Sequence, residues 1–305
     1  MSKTTYSGPV RSRNGFQIVS ENTTTGAVSD VTTIQGTDAR RYALAEYFLQ
    51  RPALNAVIGL PGSDTTSPTA AEFLAYTVAN KNFEVLGTNM TTALCTFDTT
   101  RGGLTITTAG ADQDQSIIAP HLDTNQTAWQ VVKWGTENQL IWEASVSTNA
   151  IDNQKLWAGL KLTNDQLVAT DADQAFFKFQ TDATNSEAFT DYTVLHFIYS
   201  VGGTDYISAL PITVAANTTY HMKIVVNSDR KATIYVNGIQ YNISNTAGST
   251  GGTVVTAVAQ DTAPTLSNAL TNDIDLIPYI GIEAGDSAAE ALDVHFQGIS
   301  RVIFE

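Results

Sequence analysis

The sequence predicts a mainly β chain built as an antiparallel sandwich, and three observations lead there. Tyr220–Gln240 reads YHMKIVVNSDRKATIYVNGIQ: two runs of alternating apolar residues flank the polar turn Asn227–Arg230, and Asn237-Gly238 follows as a second turn. A period of two marks half-buried strands, and Asn-Gly supplies the positive φ of a two-residue hairpin turn. Comparable runs, separated by turn residues at the intervals of a sandwich, continue from Asn82 to the last residues without a 20–50-residue repeat. Finally, only 15% of residues are charged while 43% are apolar, which suits a large core under a Thr-, Asn-, Ser- and Gly-rich β surface.

Residues 1–37 are rich in Ser, Thr, Gly and Asn and read as an extended N-terminal arm, with one short strand around Phe16, Ile18 and Val19. Residues 38–81 read as a small helical or mixed segment. Asp38 is placed to cap a helix in which Tyr42, Ala45, Phe48 and Leu49 share a face, and Pro52 closes it. Thr69-Ala-Ala-Glu72 is a capping box ahead of Phe73, Leu74 and Tyr76. Residues 82–305 read as the sandwich. Its expected strands are Phe83–Leu86, Leu104–Thr107, Gln115–Ala119, Ala128–Trp134, Gln139–Val146, Lys155–Lys161, Ala175–Phe179, Thr193–Ser200, Tyr220–Val226, Ala232–Val236, Ile277–Ile282 and Leu292–Ile303. The polar stretch 244–272, with GSTGG inside it, reads as a surface loop.

A formal net charge of -14 repels a phosphate backbone, so nucleic-acid binding is not expected. The charge is uneven: residues 1–51 hold six basic and four acidic side chains, which leaves ten basic and 26 acidic ones for the rest. That contrast points to a basic arm able to dock on an acidic protein surface, with Arg11, Arg13, Arg40 and Arg41 as its partner-binding residues. No run of about 18 apolar residues marks a membrane span, and the opening MSKTTYSGPVRSRNG has no apolar region of a secretory signal. Cys95 is the single cysteine, read as a small buried strand residue; an intrachain disulfide and a cysteine-based zinc site are excluded.

Candidate chemistry is sparse. His121, His196, His221 and His295 have no second ligand at metal spacing. The pairs Asp112/Asp114, Asp171/Asp173 and Asp273/Asp275 read as solvated acidic loops, with Asp171 and Asp173 the first to test for calcium. No G-x-S-x-G elbow supports a serine nucleophile. Glycoside hydrolysis needs two carboxylates about the scissile bond, and the strand Leu140–Val146 offers Glu143 alone. Neither a catalytic centre, a metal nor a cofactor is therefore expected. Because strands alternate their faces, Glu143 is expected on the surface opposite a core Trp142.

LWAGLKLT (Leu156–Thr163), ATDADQAFFKFQTD (Ala169–Asp182), VLHFIYSVGGTDY (Val194–Tyr206), TYHMKIVVNSDRKATIYVNG (Thr219–Gly238), DLIPYIGIEA (Asp275–Ala284) and the closing ISRVIFE follow one another in an order that resembles the concanavalin A-like, laminin-G-type jelly-roll domain of tailed-phage virion proteins. Gly103–Thr136 resembles the first half of that domain, and YSGPVRSRNGF (Tyr6–Phe16) the start of phage structural proteins. The resemblance implies a virion structural protein on the capsid surface. In that role it is a capsid decoration or cement protein, a dimer or trimer that binds the major capsid protein or other virion proteins without nucleic acid, membrane or catalysis. The alternative it implies is a lectin-like module of a fibre or capsid that holds host-surface glycans. Trp129 and Trp134, five positions apart and so on opposite faces of one strand, are then the candidate stacking residues.

Overall fold

The computed structural model describes residues 19–21, 28–30, 41–49, 52–55, 80–120, 134–182, 187–248, 251–264 and 266–302. Among them the chain forms β1 (Val19–Glu21), β2 (Val28–Asp30), β3 (Arg41–Glu46), β4 (Pro52–Asn55), β5 (Asn80–Gly87), β6 (Cys95–Phe97), β7 (Leu104–Thr107), β8 (Gln115–Pro120), β9 (Ile141–Thr148), β10 (Gln154–Lys161), β11 (Gln174–Gln180), β12 (Val194–Val201), β13 (Thr204–Thr213), β14 (Tyr220–Val226), β15 (Ala232–Val236), β16 (Ile239–Tyr241), β17 (Thr253–Val254), β18 (Ile277–Ala284) and β19 (Ala291–Val302). The helical elements among these residues are three short 3₁₀ turns, so none is long and apolar enough to cross a membrane.

β1 and β2 pair only with each other; the other strands make two stacked sheets. The nine-stranded sheet runs β17-β13-β12-β11-β10-β18-β8-β5-β4, and the eight-stranded sheet runs β16-β15-β14-β9-β19-β7-β6, with β3 on the C-terminal half of β19. Pairing is antiparallel except for β13–β17 and β4–β5. The alternation read from Tyr220–Val236 sets the core. Met222, Ile224, Val226, Ile234 and Val236 face inward with Trp142, Ala144 and Val146 of β9, onto Leu156, Ala158, Phe177, Phe179 and Phe197 of the other sheet. Trp142 and Phe177 carry the contact between sheets, with ring centroids 6.5 Å apart, and Phe177 meets Phe197 at 5.0 Å.

The β15–β16 turn is the one Asn-Gly demands. Asn237 and Gly238 stand at φ 51° and 77°, and Val236 pairs with Ile239. The Asn237 side chain also accepts from the His221 amide (2.8 Å), which ties the turn to β14. At the β14–β15 turn, Asn227 Oδ1 accepts from the Asp229 and Lys231 amides (3.0 and 2.9 Å).

The structure departs from expectation at several elements. Where the Asp38 cap suggested a helix over 38–50, the structure has strand β3. An isolated helix of that length is marginal in water, whereas β19 runs on past β7 and offers residues 297–302 as a free edge to Arg41–Glu46. Strand β13 was not among the expected strands; Pro211 lies exposed near its end, next to the bulge between Val194 and His196 of β12. The expected strand Ala128–Trp134 and the capping box at Thr69 fall outside the described residues, apart from Trp134, which is not in a strand. Cys95 is buried on β6, as expected.

The nine-stranded sheet is buried on its outward face as well. Leu86, Ile117, Trp157, Phe176, Ile198, Ile207 and Tyr279 form a second apolar layer, joined by Val168 and Phe189 from loops. Lys155, Lys161 and Lys178 share this face and are fully buried. Each has a carboxylate: Lys155 pairs with Asp182 (3.2 Å) and Glu283, Lys161 with Asp171 (3.0 Å), and Lys178 with Glu187 (2.5 Å). Asp171 in turn accepts from the Leu162 and Thr163 amides and the Thr163 hydroxyl.

Two outcomes test this account. Gly238→Val places a β-branched residue at positive φ and is expected to lower unfolding free energy by about 1–3 kcal/mol in urea titrations; unchanged stability rejects the turn assignment. Asp171→Asn leaves the Lys161 ammonium buried without its counter-charge and is expected to cost about 3–5 kcal/mol, whereas an exposed pair would cost under about 1 kcal/mol.

Candidate functional site

The eight-stranded sheet turns its outward face to solvent, and at one end the β6–β7 turn stands up beside it. Asp98 builds that turn. Its carboxylate accepts from the Thr100 and Arg101 amides (2.8 and 3.0 Å), and its backbone closes onto Gly102 and Gly103. The amide of Arg101 is the main cause that holds the Asp98 carboxyl below its ordinary range, with the Thr100 amide and the Arg101 charge adding to it. Gly103 is required here: a Cβ would lie 2.4 Å from the Val294 carbonyl oxygen, so only glycine lets the turn lie this close to β19.

The register then sets three outward residues in a row: Thr105 of β7, Asp293 of β19 and Ser147 of β9. Asp293 accepts from the Thr105 hydroxyl (2.6 Å), from Arg101 Nη2 (2.9 Å) and from the Ser147 hydroxyl (3.4 Å). Arg101 also donates Nε to Asp98 (3.2 Å), so one guanidinium bridges turn and sheet. His295, beside Asp293 at the bulge of β19, has Nδ1 2.6 Å from the Gly102 carbonyl oxygen. A carbonyl only accepts, so Nδ1 donates to it, while Nε2 lies 3.2 Å from Ser147 Oγ. Between turn and sheet lies an open groove of about 450 Å³, lined by Phe97, Asp98, Thr99, Thr100, Arg101, Thr105, Asn149 and Asp293. Phe97, 41% exposed, is its aromatic wall.

Of the residues named from the sequence, His295 lies at this site. Arg11, Arg13, Arg40, Trp129 and His121 are outside the described residues. Arg41 is committed within the fold, donating to Ser300 Oγ (3.1 Å), Ser300 O (3.2 Å) and Gln139 O (2.6 Å). Trp134 is buried against Tyr42, at 5.9 Å between centroids. Asp171 holds Lys161, while Asp173 accepts from the Thr271 amide (2.7 Å), so the pair does not converge. Among the described residues no three His, Cys, Asp or Glu side chains group as metal ligands. Glu143 is on the face opposite Trp142, as alternation requires, but it is buried, with Lys223 Nζ 3.6 Å away. The groove residues were missed because Arg101 and Asp293 are 192 positions apart; the local signal was Asp98 followed by Gly102-Gly103, a turn signature inside a β region.

No family model matches the chain, and no curated protein matches it. Solved structures do. An alginate lyase, A1-II′, in complex with substrate is 15% identical, with a TM-score of 0.41 over 71% of this chain and 84% of that one. The carbohydrate recognition domain of Emp46p is 7% identical, with a TM-score of 0.41 over 79% and 94%. The galectin LEC-6 of Caenorhabditis elegans is 14% identical, with a TM-score of 0.29 over 55% and 87%. The fold is a concanavalin A-like β-sandwich. At such identities the likeness is one of fold and carries no substrate or activity to this chain. It does correct one expectation. Absence of a catalytic centre was inferred from missing motifs, yet the similar structures include this lyase and a glycosyl hydrolase family protein from Mycobacterium fortuitum (10% identical, TM-score 0.38, 65% and 75% covered). Beside these neighbours the expectation that the chain is not an enzyme does not stand. None of these matches speaks to a virion.

Asp293→Asn keeps the side chain's shape but removes its charge and half its acceptor capacity. It is expected to cost about 1–3 kcal/mol in denaturant titrations and to leave the Arg101 guanidinium with Asp98 as its carboxylate partner. Wild-type stability would show that the row is not a fixed network.

Proposed function

We propose that this protein is a carbohydrate-binding β-sandwich and that the ligand lies in the groove beside the β6–β7 turn. The observation that carries the reading is the pairing of an exposed aromatic wall, Phe97, with a polar floor whose side chains are already held in place. A pyranose has an apolar C–H face and a rim of hydroxyls. The first suits an aromatic ring, and the second suits planar groups such as Asp98, Asp293, Arg101 and Asn149. Asp293 and Arg101 fix one another, so little rotamer entropy is lost when a ligand docks. The groove's volume of about 450 Å³ suits a short sugar segment, and its openness at the surface suits one stretch of a longer glycan.

The groove carries Asp98 and Asp293 against Arg101, and both carboxylates already engage that one cation. Neutral sugars are therefore better suited to it than polyanionic ones. The sequence-based reading as a capsid decoration protein rests on resemblance, and docking through Arg11, Arg13, Arg40 and Arg41 on the basic balance of residues 1–51; the groove adds nothing to either.

A glycan array followed by calorimetry tests the proposal. Binding to a defined neutral glycan is expected, and Phe97→Ala should weaken it about 3- to 10-fold, the loss of one aromatic contact of about 0.5–1.5 kcal/mol. Arg101→Ala should weaken it further by releasing Asp98 and Asp293. Blank arrays, or binding that both variants leave intact, overturn the assignment. Blank arrays together with binding to emptied capsids would restore the decoration reading.

A further inference from the structure

The β6–β7 turn takes its shape from its own bonds. Asp98 accepts the Thr100 and Arg101 amides on its carboxylate and the Gly102 amide on its carbonyl (3.0 Å), and it donates its own amide to Gly103 O (3.1 Å). None of these bonds reaches the sheet beneath, so they fix the turn's shape and not its tilt over β19 and β9. The tilt depends on contacts that cross from turn to sheet. Arg101 donates to Asp293 (2.9 Å), but through a long side chain that is about one-third exposed and can follow the turn if it moves. Gly103 lies so close to β19 that a Cβ would stand 2.6 Å from the His295 Cα, which is a close approach without a bond. The Gly102 carbonyl oxygen, 2.6 Å from His295 Nδ1, is where the sheet grips the main chain of the turn.

β19 is shaped to aim His295 at that carbonyl. The strand carries an extra residue here: Val294 pairs with Val146 and Phe296 with Ser145, which leaves His295 without a partner on β9. Along its other edge β19 passes from β7, whose pairing stops at Val294, to β3, whose pairing starts at Gln297. His295 thus stands at a bulge and in the gap between two neighbouring strands. A bulge re-aims the side chain of its extra residue, and this one turns the imidazole toward the β6–β7 turn. The ring is held at both ends, by Gly102 O at Nδ1 and by Ser147 Oγ, 3.2 Å from Nε2. It does this from outside the groove, whose wall is formed from Phe97 to Arg101 and whose floor is Thr105, Asn149 and Asp293.

We propose that His295 is the positioning residue of this site: by holding the Gly102 carbonyl it sets the tilt of the β6–β7 turn over the sheet, and with it the width of the groove between the turn and Asp293. What the groove binds rests on the carbohydrate reading above, whereas the tether is read without a ligand. Asp98, Thr99, Thr100 and Arg101 come from the turn, and the floor comes from β7, the end of β9 and β19. The spacing between wall and floor is therefore set by whatever ties turn to sheet. A ligand that touches both gains from both at one spacing only. A turn free to swing has to be ordered when the ligand docks, and that ordering weakens binding. Of the two ring nitrogens Nδ1 carries the tether, because its acceptor belongs to the turn; the contact of Nε2 with Ser147 fixes the rotation of the ring.

Substitutions that separate the two nitrogens provide the test. His295→Asn places an amide N–H near the position of Nδ1 and keeps a donor for Gly102 O. His295→Gln places one near the position of Nε2 and reaches toward Ser147 instead, and His295→Ala keeps neither. Order parameters of the backbone amides at 99–103, measured by NMR relaxation on the full chain without ligand, are expected near about 0.85 in wild type and His295→Asn and to fall toward about 0.6 in His295→Gln and His295→Ala, with β14 and β15 unchanged. Calorimetry with a neutral glycan that binds the wild-type protein should show binding about 3- to 10-fold weaker in His295→Gln and His295→Ala, and within about twofold of wild type in His295→Asn. If His295→Ala does not fold, the Asn and Gln variants decide alone. The proposal is overturned if the turn is equally ordered in all the proteins, if Gln restores order and Asn does not, or if His295→Asn binds as weakly as His295→Ala, which would make His295 a contact of the ligand. If no glycan binds, the carbohydrate reading fails and the relaxation pattern judges the tether by itself: recovery in Asn alone upholds it, and equal order in all variants rejects it.

Discussion

The rest of the structure depends on the burial of the nine-stranded sheet on both faces. β10 is its centre: every residue from Gln154 to Lys161 is buried, half against the other sheet and half beneath loops. An ordinary sandwich strand keeps one polar face in water, and β14 does so here, alternating buried and half-buried residues along its length. Burying the second face of β10 and β11 meant burying Lys155, Lys161 and Lys178 with it. A buried ammonium without a counter-charge is costly, and the structure supplies one to each. Asp171, Asp182 and Glu187 lie outside the strands, so the ion pairs also fix where the covering loops sit.

This double burial divides the labour between the sheets. Among the described residues, apolar side chains and paired charges fill the outward side of the nine-stranded sheet. The eight-stranded sheet keeps polar residues on its outward face, and there the register converts unremarkable side chains into a site. Thr105, Asp293 and Ser147 come from three strands and meet only because β7 and β9 flank β19 at matching positions. The turn at Asp98 adds Arg101, and the close approach at Gly103 keeps that turn against the sheet.

The sequence made the strands legible where a period of two was strong. Tyr220–Val226, Ala232–Val236 and Leu104–Thr107 lie where the alternation placed them, because one face of each meets the core and the other meets water. It misled where pairing overrode local preference. Asp38 and the spacing of Tyr42, Ala45 and Phe48 describe a plausible helix face, yet the free edge of β19 draws the segment into a strand. The groove was not legible for a different reason. Its parts are 192 positions apart, none is unusual by itself, and the acidic and aromatic residues that drew attention, Asp171, Glu143 and Trp134, are each engaged inside the fold. Local signals in a β protein report which face a residue takes; what it meets there is decided by a register that only the complete sheet defines.

That same logic explains why polar residues on the two sheets have different consequences. On the eight-stranded sheet a charge such as Asp293 is satisfied by neighbours and, though itself buried, lines an open groove. On the nine-stranded sheet a polar group must be satisfied completely within the protein, because the loops exclude water. Lys178 meets that demand with three acceptors, and its pKa is nevertheless lowered to about 8 by burial. His196, one strand away, meets it by remaining neutral, stacked on Phe189. A lysine held by charged partners and a histidine kept neutral by burial are thus two ways of placing a basic side chain in the same covered face.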